Sequence, residues 1–212
     1  MATLTKLMSL SVTIISLIAG VLSFYIMSDS PKEQKKRQIE EITSQLINFI
    51  IFVWISKVIL NISIFISDPL AILAYPSDSS AFYLAILISV VFLFYKSKRG
   101  QLDMVLFIQA FIPIFLTSSF LYEFLKFILD DNALAVGRMV LLAILLVLSL
   151  FQPGIMVMLV SWTVGMFILV ILQPYVTVFG YIMAPWFLAV FFVAALAIHL
   201  VNQRKRDCDV GY

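Results

Sequence analysis

The stretch Leu7–Met27, LMSLSVTIISLIAGVLSFYIM, contains no charged residue, and its polar groups are all hydroxyls of Ser, Thr and Tyr. A helix needs about 20 mainly apolar residues to cross the roughly 30 Å hydrocarbon layer of a bilayer, and this stretch meets that measure. It is too long for a typical signal-peptide core and carries no small-residue cleavage site, so a retained helix is expected. The same ruler laid along the chain finds further spans near 46–67, 80–95, 104–129, 135–150, 155–172 and 176–201. The last three are cut from an almost continuous apolar run by Gln152-Pro153-Gly154 and Gln173-Pro174, because proline and glycine interrupt helices. Between the spans lie the polar loop Ser28–Thr43 and the proline-bearing Asp68–Ser79, which suits a surface or re-entrant segment.

Bulk composition agrees. Of 212 residues, 63% are hydrophobic and 12% charged, with a mean hydropathy of +1.09. Soluble domains carry about 25% charged residues, so a water-soluble globule of this size is excluded, and so is disorder. The expectation is an all-α, polytopic membrane protein, a single integral domain over 1–212 with about seven transmembrane helices.

The charges set its direction. Most of the 14 Lys and Arg residues fall in three groups: Lys32, Lys35, Lys36 and Arg37; Lys96, Lys98 and Arg99; Arg204, Lys205 and Arg206. With seven spans all three lie on one side, while Asp68, Asp78, Asp130 and Asp131 lie on the other. Short loops rich in Lys and Arg stay in the cytoplasm. The amino terminus is therefore expected outside and the carboxyl terminus inside.

Four ionisable residues remain within spans: Lys57, Glu123, Lys126 and Arg138. Such groups are costly at membrane depth and are functional candidates by default. Glu123 and Lys126 share a helix face and can neutralise each other, snorkelling at the outer interface. Arg138 has two readings, a bidentate grip on a lipid phosphate or pairing with Asp130, Asp131 or Glu123. Lys57, near the middle of its helix, is expected to face protein or a wet cavity, with Glu123 as the intramembrane acid available to it.

Other chemistry is sparse. One cysteine, Cys208, excludes a disulfide framework, and one histidine, His199, argues against a metal site or a Ser/His pair. No cofactor motif, metal-ligand cluster or nucleic-acid signature is legible, so none of these ligands is expected.

The layout resembles the bacterial prolipoprotein diacylglyceryl transferase family. Leu46–Ile59 (LINFIIFVWISKVI) is similar to that family's second helix, Asp68-Pro69-Leu70 to its external loop, and Phe92–Gly100 (FLFYKSKRG) to its basic turn. Leu121-Tyr122-Glu123 resembles its LYE element and Pro153-Gly154 a late Pro-Gly turn. The family's A-F-H-G-G-like stretch is represented by Ala81-Phe82-Tyr83-Leu84-Ala85, with tyrosine for histidine. Its G-R-x-G-N-F signature has no counterpart in Ala110–Phe120.

The resemblance implies a multi-pass protein of the bacterial plasma membrane that binds phosphatidylglycerol and transfers a diacylglyceryl group to a lipoprotein precursor. Tyr83, Tyr122 and Glu123 would then be catalytic, with Arg138 and Lys126 on the lipid phosphate. Two other classes compete with it: a non-catalytic scaffold or regulator of another membrane or envelope protein, suggested by the missing signatures, and a small transporter subunit, suggested by Lys57 and the proline-broken helices.

Overall fold

A computed structural model describes residues 2–28, 30–68, 78–130, 133–151 and 154–193. The described residues are helical almost throughout: α1 (Ala2–Met27), α2 (Lys32–Leu60), α3 (Ile62–Ser67), α4 (Ser79–Lys98), α5 (Met104–Asp130), α6 (Leu134–Leu150) and α7 (Ile155–Leu172). A two-stranded hairpin follows, β1 (Thr177–Val178) and β2 (Tyr181–Ile182), and residues 185–193 are again helical. Among the described residues, five helices are long and apolar enough to cross a membrane: Met8–Met27, Lys32–Leu60, Ser79–Lys98, Met104–Leu129 and Ile155–Leu172. α6, with 17 residues, is apolar but shorter. This is an all-α, multi-pass architecture.

The helix ends have local causes. Asp78 precedes α4 and its carboxylate accepts the Ala81 N–H at 3.0 Å, an N-cap that satisfies an otherwise orphaned donor. Asp103 does the same for α5, accepting from Val105 and Leu106 at 3.0 and 3.1 Å. α2 stops at Asn61, whose side-chain amide donates to the Lys57 carbonyl at 3.0 Å.

Two expected boundaries are corrected. The polar stretch Ser28–Thr43 was expected as a loop, yet α2 begins at Lys32. Its Lys, Glu, Gln and Arg residues are strong helix formers, and Lys36–Glu40 and Arg37–Glu41 form i,i+4 pairs at 3.9 and 3.3 Å. The seventh span was expected from Val176. Residues 176–183 instead form the hairpin, with helix from 185 onward. Residues 194–201 of that span, His199, Cys208 and the basic group Arg204–Arg206 lie outside the described residues, as do Pro69–Ser77, Asp131 and Pro153.

Contacts divide the chain into two compact units, one of residues 21–112 and one of 1–20 with 113–212. In the first, α2 packs on α4 through edge-to-face pairs Phe49–Phe82 and Phe52–Phe92, with centroids 5.7 and 5.5 Å apart. Gln38, buried, donates to the Leu106 carbonyl at 3.2 Å and ties α2 to the first turn of α5.

In the second unit, Val12, Ser16 and Gly20 form a buried ridge at i,i+4 spacing on α1. A Cβ on Gly20 would run into Ser118 Oγ and stand 2.8 Å from the Ile114 carbonyl. Small residues let helix backbones approach in this way, which is how apolar helices associate in lipid. Gly165 plays the same part between α7 and Leu141 of α6, whose Cδ2 lies 3.0 Å from where a Cβ would be.

Candidate functional site

The polar centre of the second unit is built from four chain segments. On α5, Phe115, Ser119 and Glu123 recur at four-residue spacing and so share one face, with Tyr122 beside them. α6 brings Arg138 one turn after its start. α7 supplies Trp162 and Met166, and the hairpin supplies Thr177, Val178 and Phe179. Apart from Tyr122, these residues together with Leu141 and Leu142 line a cavity of about 20 Å³. That is room for about one water.

Arg138 Nη2 lies 2.9 Å from Glu123 Oε2, and both side chains are about 5% exposed or less. Glu123, one of the acids expected as a partner for Arg138, is thus in contact with it. The two charges cancel within the unit. A lone charge in such surroundings is costly, and a close, opposite partner is what makes its burial tolerable. Arg138 Nε and Ser119 Oγ lack a hydrogen-bond partner among the described residues.

Gln173, at the end of α7, holds the arginine in place. Its amide nitrogen donates to the Leu134 carbonyl at 3.0 Å, and its oxygen accepts from Arg138 Nη1 at 3.5 Å. Leu134 lies in the first turn of α6, so this clamp joins the end of α7 to the beginning of α6. Gly137 makes the approach possible, because a Cβ there would stand 2.6 Å from Gln173 Nε2.

The hairpin closes the other wall. Its two-residue turn places Phe179 at φ 49° and Gly180 at φ 86°, both left-handed, as tight antiparallel turns with the natural strand twist require. Glycine accepts this freely, whereas a phenylalanine is strained there. Phe179 is held by its ring, edge-on to Tyr122 at 5.4 Å and to Phe115 at 6.0 Å. Phe115 in turn meets Trp162 at 6.1 Å, and Trp162 meets Phe191 at 5.7 Å. Val176 and Met183 are buried, and the Met183 N–H closes on the Val176 carbonyl at 2.8 Å. The non-helical backbone is thus satisfied within protein, the condition under which it is tolerated among membrane helices.

Of the residues expected from sequence, Tyr122, Glu123 and Arg138 meet at this centre. Tyr122 is buried against Phe179, and its hydroxyl lies 2.9 Å from where a Cβ on Gly180 would be. Lys126 stands one turn beyond Glu123 on α5 and is half-buried. Tyr83 is half-buried on α4, in the other unit. Lys57, in that same unit, is buried beside Ser56, with Nζ 5.4 Å from the Trp54 ring centroid. Glu123, the acid expected for it, lies in the other unit and contacts Arg138.

Sequence reasoning missed Gln173, Ser119, Gly137 and the hairpin tip. Gln173 was weighed only as part of a helix-breaking Gln-Pro pair, and a lone amide closing a long apolar helix was its signal. In Thr177–Ile182 the signal was a short run of β-branched and aromatic residues broken by a glycine.

Comparison of the chain with family models, with curated proteins and with solved structures returns no match.

Proposed function

We propose that this chain is a non-catalytic, multi-pass protein of the bacterial plasma membrane that scaffolds or regulates another membrane or envelope protein. In this reading seven spans cross the bilayer, with the amino terminus outside and the carboxyl terminus in the cytoplasm. The basic groups around α2 and at the end of α4 support that direction.

One observation carries the reading. Arg138 is neutralised by Glu123 inside a cavity of about 20 Å³, closed on one side by the hairpin. A phospholipid headgroup does not fit that volume, and the guanidinium charge is already answered. Tyr122, the hydroxyl that the resemblance nominates on α5, is packed against Phe179. A reaction centre needs a nucleophile and base within reach of a substrate-sized space.

A second reading is favoured by the meeting of Tyr122, Glu123 and Arg138, the residues nominated by the resemblance to diacylglyceryl transferases. It is a lipid-group transferase whose site opens only with substrate present.

Purified full chain incubated with labelled phosphatidylglycerol and a lipoprotein signal peptide separates the two. The scaffold reading expects no labelled peptide, together with a discrete partner captured by cross-linking in native membranes. Label transfer that disappears in Arg138→Gln would overturn it in favour of the transferase.

A further inference from the structure

The cationic end of the 21–112 unit has a property that the polar centre does not share. α2 has 29 residues, about 43 Å of helix at about 1.5 Å per residue, against roughly 30 Å of hydrocarbon. Roughly 13 Å must therefore stand outside the apolar layer. The polar end is the amino-terminal one, where Lys32, Lys35, Lys36 and Arg37 lie. Lys35 Nζ donates to the Tyr25 carbonyl at 3.1 Å, answering an open carbonyl near the end of α1.

The bond from Gln38 to the Leu106 carbonyl brings this end of α2 to the first turn of α5. Only Gly100–Asp103 separates that turn from Lys96, Lys98 and Arg99. Two cationic groups distant in sequence are thereby placed at one end of the unit.

Their carboxylates are unequally shared. Glu40 and Glu41 pair with Lys36 and Arg37, and Glu33 is exposed on the first turn of α2. The Asp103 carboxylate caps α5 by accepting two backbone N–H groups. Lys96, Lys98 and Arg99 have no carboxylate partner among the described residues. Instead Lys98 Nζ sits 4.9 Å from the Phe94 ring centroid and Arg99 Cζ 4.6 Å from that of Tyr95. Both rings are exposed. Rings of this kind sit at the membrane interface, with long cationic side chains lying along them and their charged heads at headgroup level.

We infer that Lys96, Lys98 and Arg99, beside the protruding end of α2, form a seat for the phosphodiester of an anionic phospholipid. The inference rests on α2 and α4 being membrane spans and is independent of whether the chain scaffolds or transfers. The planar Arg99 guanidinium takes two phosphate oxygens, while the lysines supply point charges around it.

The test uses the full chain in detergent, titrated separately with short-chain phosphatidylglycerol, phosphatidylcholine and inorganic phosphate, with bound species read by native mass spectrometry. Wild type is expected to bind phosphatidylglycerol more tightly than phosphatidylcholine. Each cation near a charged lipid surface changes binding by about fivefold, so Lys98→Gln with Arg99→Gln should weaken phosphatidylglycerol roughly 25-fold and leave phosphatidylcholine unchanged. Lys36→Gln, whose charge is already matched by Glu40, should change affinity less than about twofold. Unchanged thermal midpoints across these variants establish that folding is intact, and Lys96→Gln alone provides a milder probe if the double variant unfolds. Equal wild-type affinity for the two lipids, or undiminished phosphatidylglycerol binding in both the double variant and Lys96→Gln, overturns the inference. Inorganic phosphate binding as tightly as phosphatidylglycerol would also overturn it, by making a free anion the ligand.

Discussion

Neutralising one member of the Glu123–Arg138 pair strands the other. Glu123→Gln leaves a guanidinium 4% exposed with no counter-charge from its former partner, and Arg138→Gln leaves a carboxylate 3% exposed. The pair's contact is 2.9 Å between Nη2 and Oε2. Charge centres about 4 Å apart attract by about 4 kcal/mol at an effective dielectric constant of about 20, and breaking buried pairs costs about 3–5 kcal/mol. Each single variant is therefore expected to lose about 3–5 kcal/mol. The double variant Glu123→Gln with Arg138→Gln contains two neutral amides in place of two charges. It should recover most of that loss and fall within about 2 kcal/mol of wild type, a coupling well above the tenths expected for independent sites. Equilibrium unfolding of the purified chain in mixed micelles, followed by circular dichroism, measures all four corners of the cycle. Additive single losses, or single losses below about 1 kcal/mol, would refute the account of a mutually dependent buried pair.

Two glycine variants test the packing around this centre. Gly137→Ala should be nearly neutral in wild type, because about 0.8 kcal/mol of helix propensity is offset by the loss of the Gln173–Leu134 hydrogen bond, about 1 kcal/mol. In a Gln173→Ala background the same substitution should stabilise by about 0.8 kcal/mol, a gain readable by the same unfolding assay. Gly20→Ala should destabilise by about 2 kcal/mol through overpacking. Ser118→Ala should relieve this only in part, since the Ile114 backbone carbonyl, 2.8 Å from the added carbon, has little freedom to move.

Hydropathy and breakers located most of the helices well. α7 was expected over 155–172 and occupies Ile155–Leu172, because Pro153-Gly154 and Gln173-Pro174 delimit it on both sides. α4 and α5 lie within a few residues of expectation, each entered through an aspartate cap. The start of α2 was misplaced because a ruler that measures apolarity is blind to a polar helix held by propensity and charge pairs. The hairpin was misplaced because Val176–Met183 is apolar, and apolarity alone does not separate a buried strand from a helix.

The site was legible as a set of residue types. The inward placement of Lys57 and the pairing of a buried arginine with an acid both follow from the cost of charge in an apolar setting. Which acid would meet which base was not legible, since it depends on helix packing, and Gln173 gave no signal stronger than an amide at a helix end.

The clamp from Gln173 to the first turn of α6 has a consequence for how the chain is made. α6, with 17 residues, spans only about 26 Å, less than a bilayer's hydrocarbon thickness of about 30 Å. It also carries Arg138 one turn from its start. The amide that answers its Leu134 carbonyl is synthesised 39 residues later. A ribosome that has released α6 but not yet the end of α7 presents the translocon with a short helix bearing a charge and lacking its Gln173 clamp. Such a segment is a poor solitary guest in lipid, so α6 and α7 should leave the translocon as a pair, and truncation before Gln173 should leave α6 incompletely integrated.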